Sequence, residues 1–147
     1  MKIRSITCFL NPEFPLKKGK ISKVGETARA AVETYWNAGY EVQTTRLATI
    51  PFPKLYAGLN TEQIIEAAKQ LEEISAAEGF SYVALGPALI DEPASYAQIP
   101  QIIAETDTVF CSAEMATPGK GISLTAVKAC ADVVTQLAPQ DKNGFAN

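Results

Sequence analysis

Along the chain, apolar positions switch between strand-like runs and helical spacing, with glycines and prolines at the switches. Residues 3–10 are apolar with Ser and Thr interspersed and stop at Asn11-Pro12, the pattern of a largely buried strand closed by a breaker. From Ile21 the residues Ile21, Val24, Ala28, Ala31, Val32 and Tyr35 recur at three- and four-residue steps and end at Gly39, predicting a helix with a glycine stop. Residues 40–50 are rich in β-branched side chains and halt at Pro51-Phe52-Pro53, predicting a second strand. Thr61 is placed to cap a second helix whose apolar face is Ile64, Ile65, Ala68, Leu71 and Ile74, with Gly79 beyond its end.

A short apolar strand follows over residues 80–85 and is interrupted by Gly86-Pro87. Residues 96–106 read as a helix in which Pro100 must fall in the first turn or kink it. Residues 108–113 (TVFCSA) predict the fourth strand. From Ile122, the positions Ile122, Val127, Ala131, Val134 and Leu137 or Ala138 form a final helical stripe stopped by Pro139. The order predicts one α/β domain over residues 1–147, with about four mainly parallel strands alternating with four helices through right-handed crossovers.

Loop lengths are uneven. The helix-to-strand links are short, whereas the strand-to-helix links NPEFPLKKGK, PFPKLYAGLN, GPALIDEPAS and EMATPGKG are long and, in a parallel sheet, all emerge at the carboxyl edge. That edge is where open sheets and barrels place ligands, and long irregular loops are usually kept for function. The plainer alternative is that they cover an exposed sheet end or meet a partner.

Composition narrows the choice. A net charge of -3 argues against the broad basic surface of a nucleic-acid binder. No apolar run approaches the roughly 20 residues needed to cross a bilayer, and the start MKIRSITCFL lacks a cleavage pattern, so no membrane association is expected and the cytoplasm is the default location. Three cysteines without a Cys-x-x-Cys pair suggest free, buried thiols and no metal site. The absence of histidine removes the usual general base of Ser and Cys hydrolases.

Chemistry is therefore sought among other residues. Pro118-Gly119-Lys120-Gly121 follows a predicted strand and precedes a helix, so Gly119, Lys120 and Gly121 read as an anion cradle at a helix start, with a hydroxyl from Thr117 or Ser123, or else as a plain turn. It matches neither a Walker loop nor a dinucleotide fingerprint. Lys17, Lys18, Lys20, Lys54 and Lys120 would place cations on one rim, favouring a small molecule bearing phosphate or carboxylate. Glu114, just past the fourth strand, is the candidate catalytic acid/base. Asp91 and Glu92 could bind Mg²⁺ or cap the helix at Ser95, and Cys111 is a nucleophile only if it points out at the sheet edge. Tyr35 and Trp36 read as core and flank residues, and Tyr56 as a ligand-stacking ring. The cofactor is left open.

The blocks MKIRSITCFLNPEFP, YEVQTTRLATIPFP, YVALGPAL and MATPGKGISLTAVKACA, followed by GFAN, together resemble the amino-terminal part of the domain-of-unknown-function family numbered 711. Members are usually much longer. The resemblance implies a large α/β barrel similar to that of pyruvate formate-lyase and ribonucleotide reductase, of which this chain would be half. It implies no catalytic residue, and nothing here supports a glycyl-radical site. A half barrel must cover its open edge by association or accept a flat sheet. Two functions stay open: an enzyme or enzyme part holding a small anionic metabolite at the carboxyl edge, and a non-catalytic assembly module whose exposed sheet edge and loops join a partner chain or a copy of itself, making a homo-oligomer.

Overall fold

A computed structural model describes residues 1–140; the terminal GFAN block lies outside the described residues. Four strands form the main sheet: β2 (Ile6–Leu10), β4 (Thr45–Pro51), β5 (Tyr82–Gly86) and β6 (Val109–Phe110). They lie in that order and all neighbours are parallel. A two-residue parallel pair, β1 (Lys2–Ile3) with β3 (Glu41–Val42), precedes β2 and β4. The long strands expected over residues 3–10 and 40–50 are each broken there. Gln43 N–H donates to the Ile3 carbonyl, and the Thr44 hydroxyl donates to the Arg4 carbonyl at 2.9 Å, displacing the ladder for two residues.

Four long helices connect and follow these strands: α1 (Lys18–Asn37), α3 (Thr61–Ala77), α4 (Ala94–Ala104) and α5 (Leu124–Leu137). A one-turn helix, α2 (Phe52–Leu55), follows β4 and carries Phe52 and Leu55 into the core. The α3 stripe falls as its spacing predicts, with Ile64, Ala68 and Leu71 buried. Its cap is Asn60, not Thr61. The Asn60 side chain accepts from Gln63 N–H, and the Gln63 side chain accepts from Asn60 N–H, a reciprocal box that satisfies two donors at once. Helix α4 begins two residues earlier than expected, which places Pro100 inside the helix and beyond its first turn.

Because the strand order is sequential, the right-handed crossovers through α1, α3 and α4 deliver those helices to one side of the sheet. Cys8, Leu47, Val83 and Val109 form one row across the strands, and they share a core cluster with Ile21, Ala28, Ile64, Leu71, Ile99 and Ile102 from the helices. The architecture is that of half an α/β barrel.

Helix α5 packs on α4 with a different face from the one its sequence suggests. Ala126, Ala129, Cys130, Val133 and Leu137 turn inward, whereas Leu124 and Val134 are 81% and 65% exposed and Val127 and Ala131 lie beside them. The chain carries two apolar stripes on this helix, and the expected one faces out.

Where β4 meets β5, the register shifts between Ala48 and Pro51. The Thr49 hydroxyl fills the gap, accepting from Gly86 N–H at 3.1 Å and donating to the Ile50 carbonyl at 2.9 Å. A Cβ on Gly86 would stand 2.3 Å from the Ile50 carbonyl carbon and oxygen. Gly86→Ala is therefore expected to lower the free energy of unfolding by about 1–3 kcal/mol in urea titration. Gly19→Ala on α1, with open space around its Cβ position, should be neutral or slightly stabilising. Equal effects at the two sites would contradict the close approach at Gly86.

Candidate functional site

The carboxyl edge collects the loops as expected, but the Gly-rich segment is built differently. Two short antiparallel strands, β7 (Ala116–Thr117) and β8 (Gly121–Ile122), make a hairpin in which Thr117 pairs with Gly121. Pro118 and Gly119, the latter at φ 88°, occupy its tip, the residue pattern of a type II turn. Gly119, Lys120 and Gly121 thus stand in a hairpin and not at a helix start. Ser123 is the N-cap of α5, its hydroxyl accepting from Ala126 N–H at 3.2 Å. The Thr117 hydroxyl oxygen is buried and has no partner among the described residues.

The hairpin is tied to the third loop. Lys120 pairs with Asp91 at 3.1 Å, both side chains well exposed. Such a pair is worth little, because water screens it and two long side chains must be held still. Glu114 is half-buried. Its Oε2 accepts from Ile90 N–H at 3.4 Å, its own N–H donates to the Ala88 carbonyl, and its carbonyl accepts from the Tyr96 hydroxyl at 2.5 Å. These bonds extend the pairing past β5 and β6 through an Ala88–Ala113 bridge. Glu92 does close a turn into α4: its carbonyl accepts from both the Ser95 hydroxyl and the Ser95 N–H.

Three of the five rim lysines are in ion pairs, and these share two carboxylates. Lys17 and Lys20 both bond Glu13, and these hydrogen bonds, aided by the two charges, hold its carboxyl down at about 2. Lys18 and Lys54 are in no ion pair among the described residues. No group of three potential metal ligands occurs among the described residues. Tyr56 is fully buried, packing edge-on against Phe14 with ring centroids 5.6 Å apart, so it serves the core and does not stand open for stacking. Burial raises its hydroxyl above the ordinary range. Burial likewise pushes the Cys111 thiol up to about 12, which keeps it protonated and unreactive at neutral pH. Cys8, Cys111 and Cys130 are all free thiols, each half-buried. Tyr35 and Trp36 are exposed instead of core. Trp36 lines a 430 Å³ groove with Arg29, Val32, Val42 and Thr45 at the amino end, away from the long loops.

The most distinctive surface was not anticipated at all. Side chains that alternate with the core row point to the other face of the sheet, which no helix among the described residues covers. The register aligns Phe9, Ala48, Ala84 and Phe110 in one row, and Thr7, Arg46 and Tyr82 in the row before it. Phe9 is 82% exposed, and none of the aromatic members belongs to the core cluster. Tyr82 and Phe110 meet edge to face with centroids 5.1 Å apart, and the Arg46 guanidinium lies 5.7 Å over the Tyr82 ring. A 380 Å³ groove runs along this face at Phe9, Ala48 and Ile50. The signal in the sequence was the position of Phe9 and Phe110 one residue out of step with the core row.

Fold and surface together define an α/β half-barrel protein with helices on one side and an uncovered apolar face on the other. The chain belongs to the family described as Uncharacterised ACR (DUF711), whose model matches residues 1–147. No curated protein matches it. No helix among the described residues is long and apolar enough to cross a membrane.

Because Ser123 caps α5, Ser123→Ala is expected to cost about 1 kcal/mol in thermal or urea unfolding without any added ligand. Loss of stability that appeared only when an anion was present would assign Ser123 to a ligand site instead.

Proposed function

We propose that this chain is a non-catalytic assembly module, a half barrel that works by having its uncovered sheet face closed by association. The observation that carries this reading is Phe9, a large aromatic side chain 82% exposed at one end of a row whose other end is the exposed Phe110. Large contiguous apolar patches are rare on monomers and mark interaction sites. A face of this kind would be the interior of a closed barrel, which supports the likeness to the larger pyruvate formate-lyase-type barrel. Three free thiols fit a reducing, cytoplasmic setting.

Sedimentation velocity over a wide concentration range tests this directly. The natural chain should show a concentration-dependent mass above 15.8 kDa, and Phe9→Asp should be monomeric with an unchanged melt, since the site is exposed. A natural chain that stays monomeric throughout would contradict the proposal.

A second reading, a small phosphate- or carboxylate-bearing ligand at the β7–β8 hairpin with Glu114 as acid/base, is favoured by one observation: the buried Thr117 hydroxyl of that hairpin, partnerless among the described residues. A ligand held at a hundred times its dissociation constant adds about 2.7 kcal/mol to stability. Phosphate, sulfate and dicarboxylates should then raise the melting temperature by several degrees, and Lys120→Ala should remove the shift. A melt indifferent to all of them leaves the hairpin as a turn.

A further inference from the structure

At the amino end of the sheet, β3 is an edge. Strand β4 has β2 on one side and β5 on the other, whereas β3, which runs on into β4, pairs only with β1. The chain that leads into β5 meets the sheet at Thr45. There Ser81 N–H donates to the Thr45 carbonyl at 2.9 Å, and the Thr45 hydroxyl donates to the Gly79 carbonyl at 2.8 Å. Before Thr45, no strand among the described residues pairs with β3 on that side.

The hydrogen-bond pattern shows what this edge offers. Gln43 N–H donates to the Ile3 carbonyl, so Gln43 turns its backbone groups toward β1. Successive residues of a strand turn them to opposite sides, so the N–H and C=O of Val42 face outward. Neither has a partner among the described residues.

The 430 Å³ groove runs along this edge, with Val42, Thr44 and Ser81 on its sheet side and Val32 and Trp36 of α1 opposite. Its volume is within the range of ligand sites. Val32 and Trp36 are four residues apart and share one face of the helix, and Trp36 is 68% exposed. Arg29, on the same face, is held by the carbonyl and carboxylate of Glu78, so the groove offers no free cation to an anionic ligand. Glu33 at the rim is exposed and in no ion pair among the described residues, which favours a basic neighbour.

We propose that this groove takes an extended segment of a partner chain, apolar in the middle with basic flanks, which lies beside β3 as a third strand and covers Trp36. Free backbone groups on a sheet edge are a template for another strand, and strand addition is a recurring mode of peptide recognition. Val42 supplies only two backbone bonds, each worth little net in water, so contact with Trp36 and Val32 supplies the rest. The site is at the other end of the molecule from the long loops and does not depend on association through the open sheet face.

Trp36 is the single tryptophan of the chain, so its fluorescence reports on this groove alone. Titration with the capped peptide Lys-Thr-Val-Thr-Lys should move its emission to shorter wavelength. Amide exchange followed by NMR should show the Val42 N–H fast in the free chain and slowed by the peptide. The same peptide methylated at every backbone nitrogen cannot donate to the Val42 carbonyl and should bind about tenfold more weakly or worse. Val42→Pro removes the outward N–H and leaves the groups that pair with β1, so it should keep a cooperative melt and lose affinity about tenfold. The peptide control leaves the protein untouched and decides the matter even where Val42→Pro does not fold. Trp36 emission unchanged up to millimolar peptide would overturn the site, and a methylated peptide that binds as well as its parent would overturn strand addition. Val42 N–H protection that rises with protein concentration alone would give the edge to a second copy and overturn the partner segment.

Discussion

The handedness of the strand-helix-strand crossover is the constraint on which this structure depends. With strands laid down in sequential order, each right-handed crossover returns on the same side, so α1, α3 and α4 cover one face of the sheet, and α5 packs on α4 beyond them. A sheet wound in both directions would bury both faces. Here the period of two along each strand sends Leu47, Val83 and Val109 into the core and leaves Phe9, Ala48, Ala84 and Phe110 on a surface that no helix among the described residues reaches. The open face follows from topology, and a full barrel would need more strands to close it.

Local chemistry then fixes how the strands meet. The bulge at the end of β4 brings the Ile50 carbonyl against Gly86, and the Thr49 hydroxyl supplies the bonds the ladder loses there. Beyond it, the Ala88–Ala113 bridge and the Glu114 contacts carry the sheet into the loops of the carboxyl edge. Glu114 thereby acts as a tie between the third and fourth loops. Ser123 caps α5 and Glu92 closes the turn into α4, so several of the groups that read as chemistry in the sequence hold loops to the scaffold.

How much of this was legible depended on whether a pattern had one interpretation. The stripe of α3 was unambiguous, since that helix has one apolar side; α1 followed its spacing at Ile21 and Ala28 but not at the exposed Tyr35, and both glycine stops were plain. Helix α5 was ambiguous. Its small residues Ala126, Ala129 and Cys130 make a tight inward face against α4, and the larger, more obvious stripe of Val127 and Val134 was read as core. Hydrophobic spacing marks a face that avoids water without saying which neighbour covers it. The same limit applied to residues 6–10, where an apolar run looks alike whether one side or both are buried. The Gly-Lys-Gly segment read as a cradle or a turn because a glycine at positive φ serves both, and the sequence does not show the β7–β8 pairing that makes it a hairpin.

The central claim is that the sheet face opposite the helices is a working surface, open in the single chain and closed on association. Hydroxyl-radical footprinting of Phe9 and Phe110 as a function of protein concentration reads this directly, with buried Phe52 and exposed Trp36 as internal references. The account predicts strong labelling of Phe9 and Phe110 in dilute solution and protection at high concentration, while Phe52 stays unlabelled and Trp36 stays labelled throughout. Labelling of Phe9 and Phe110 that does not change with concentration, or that is as low as Phe52 in the dilute chain, would contradict it.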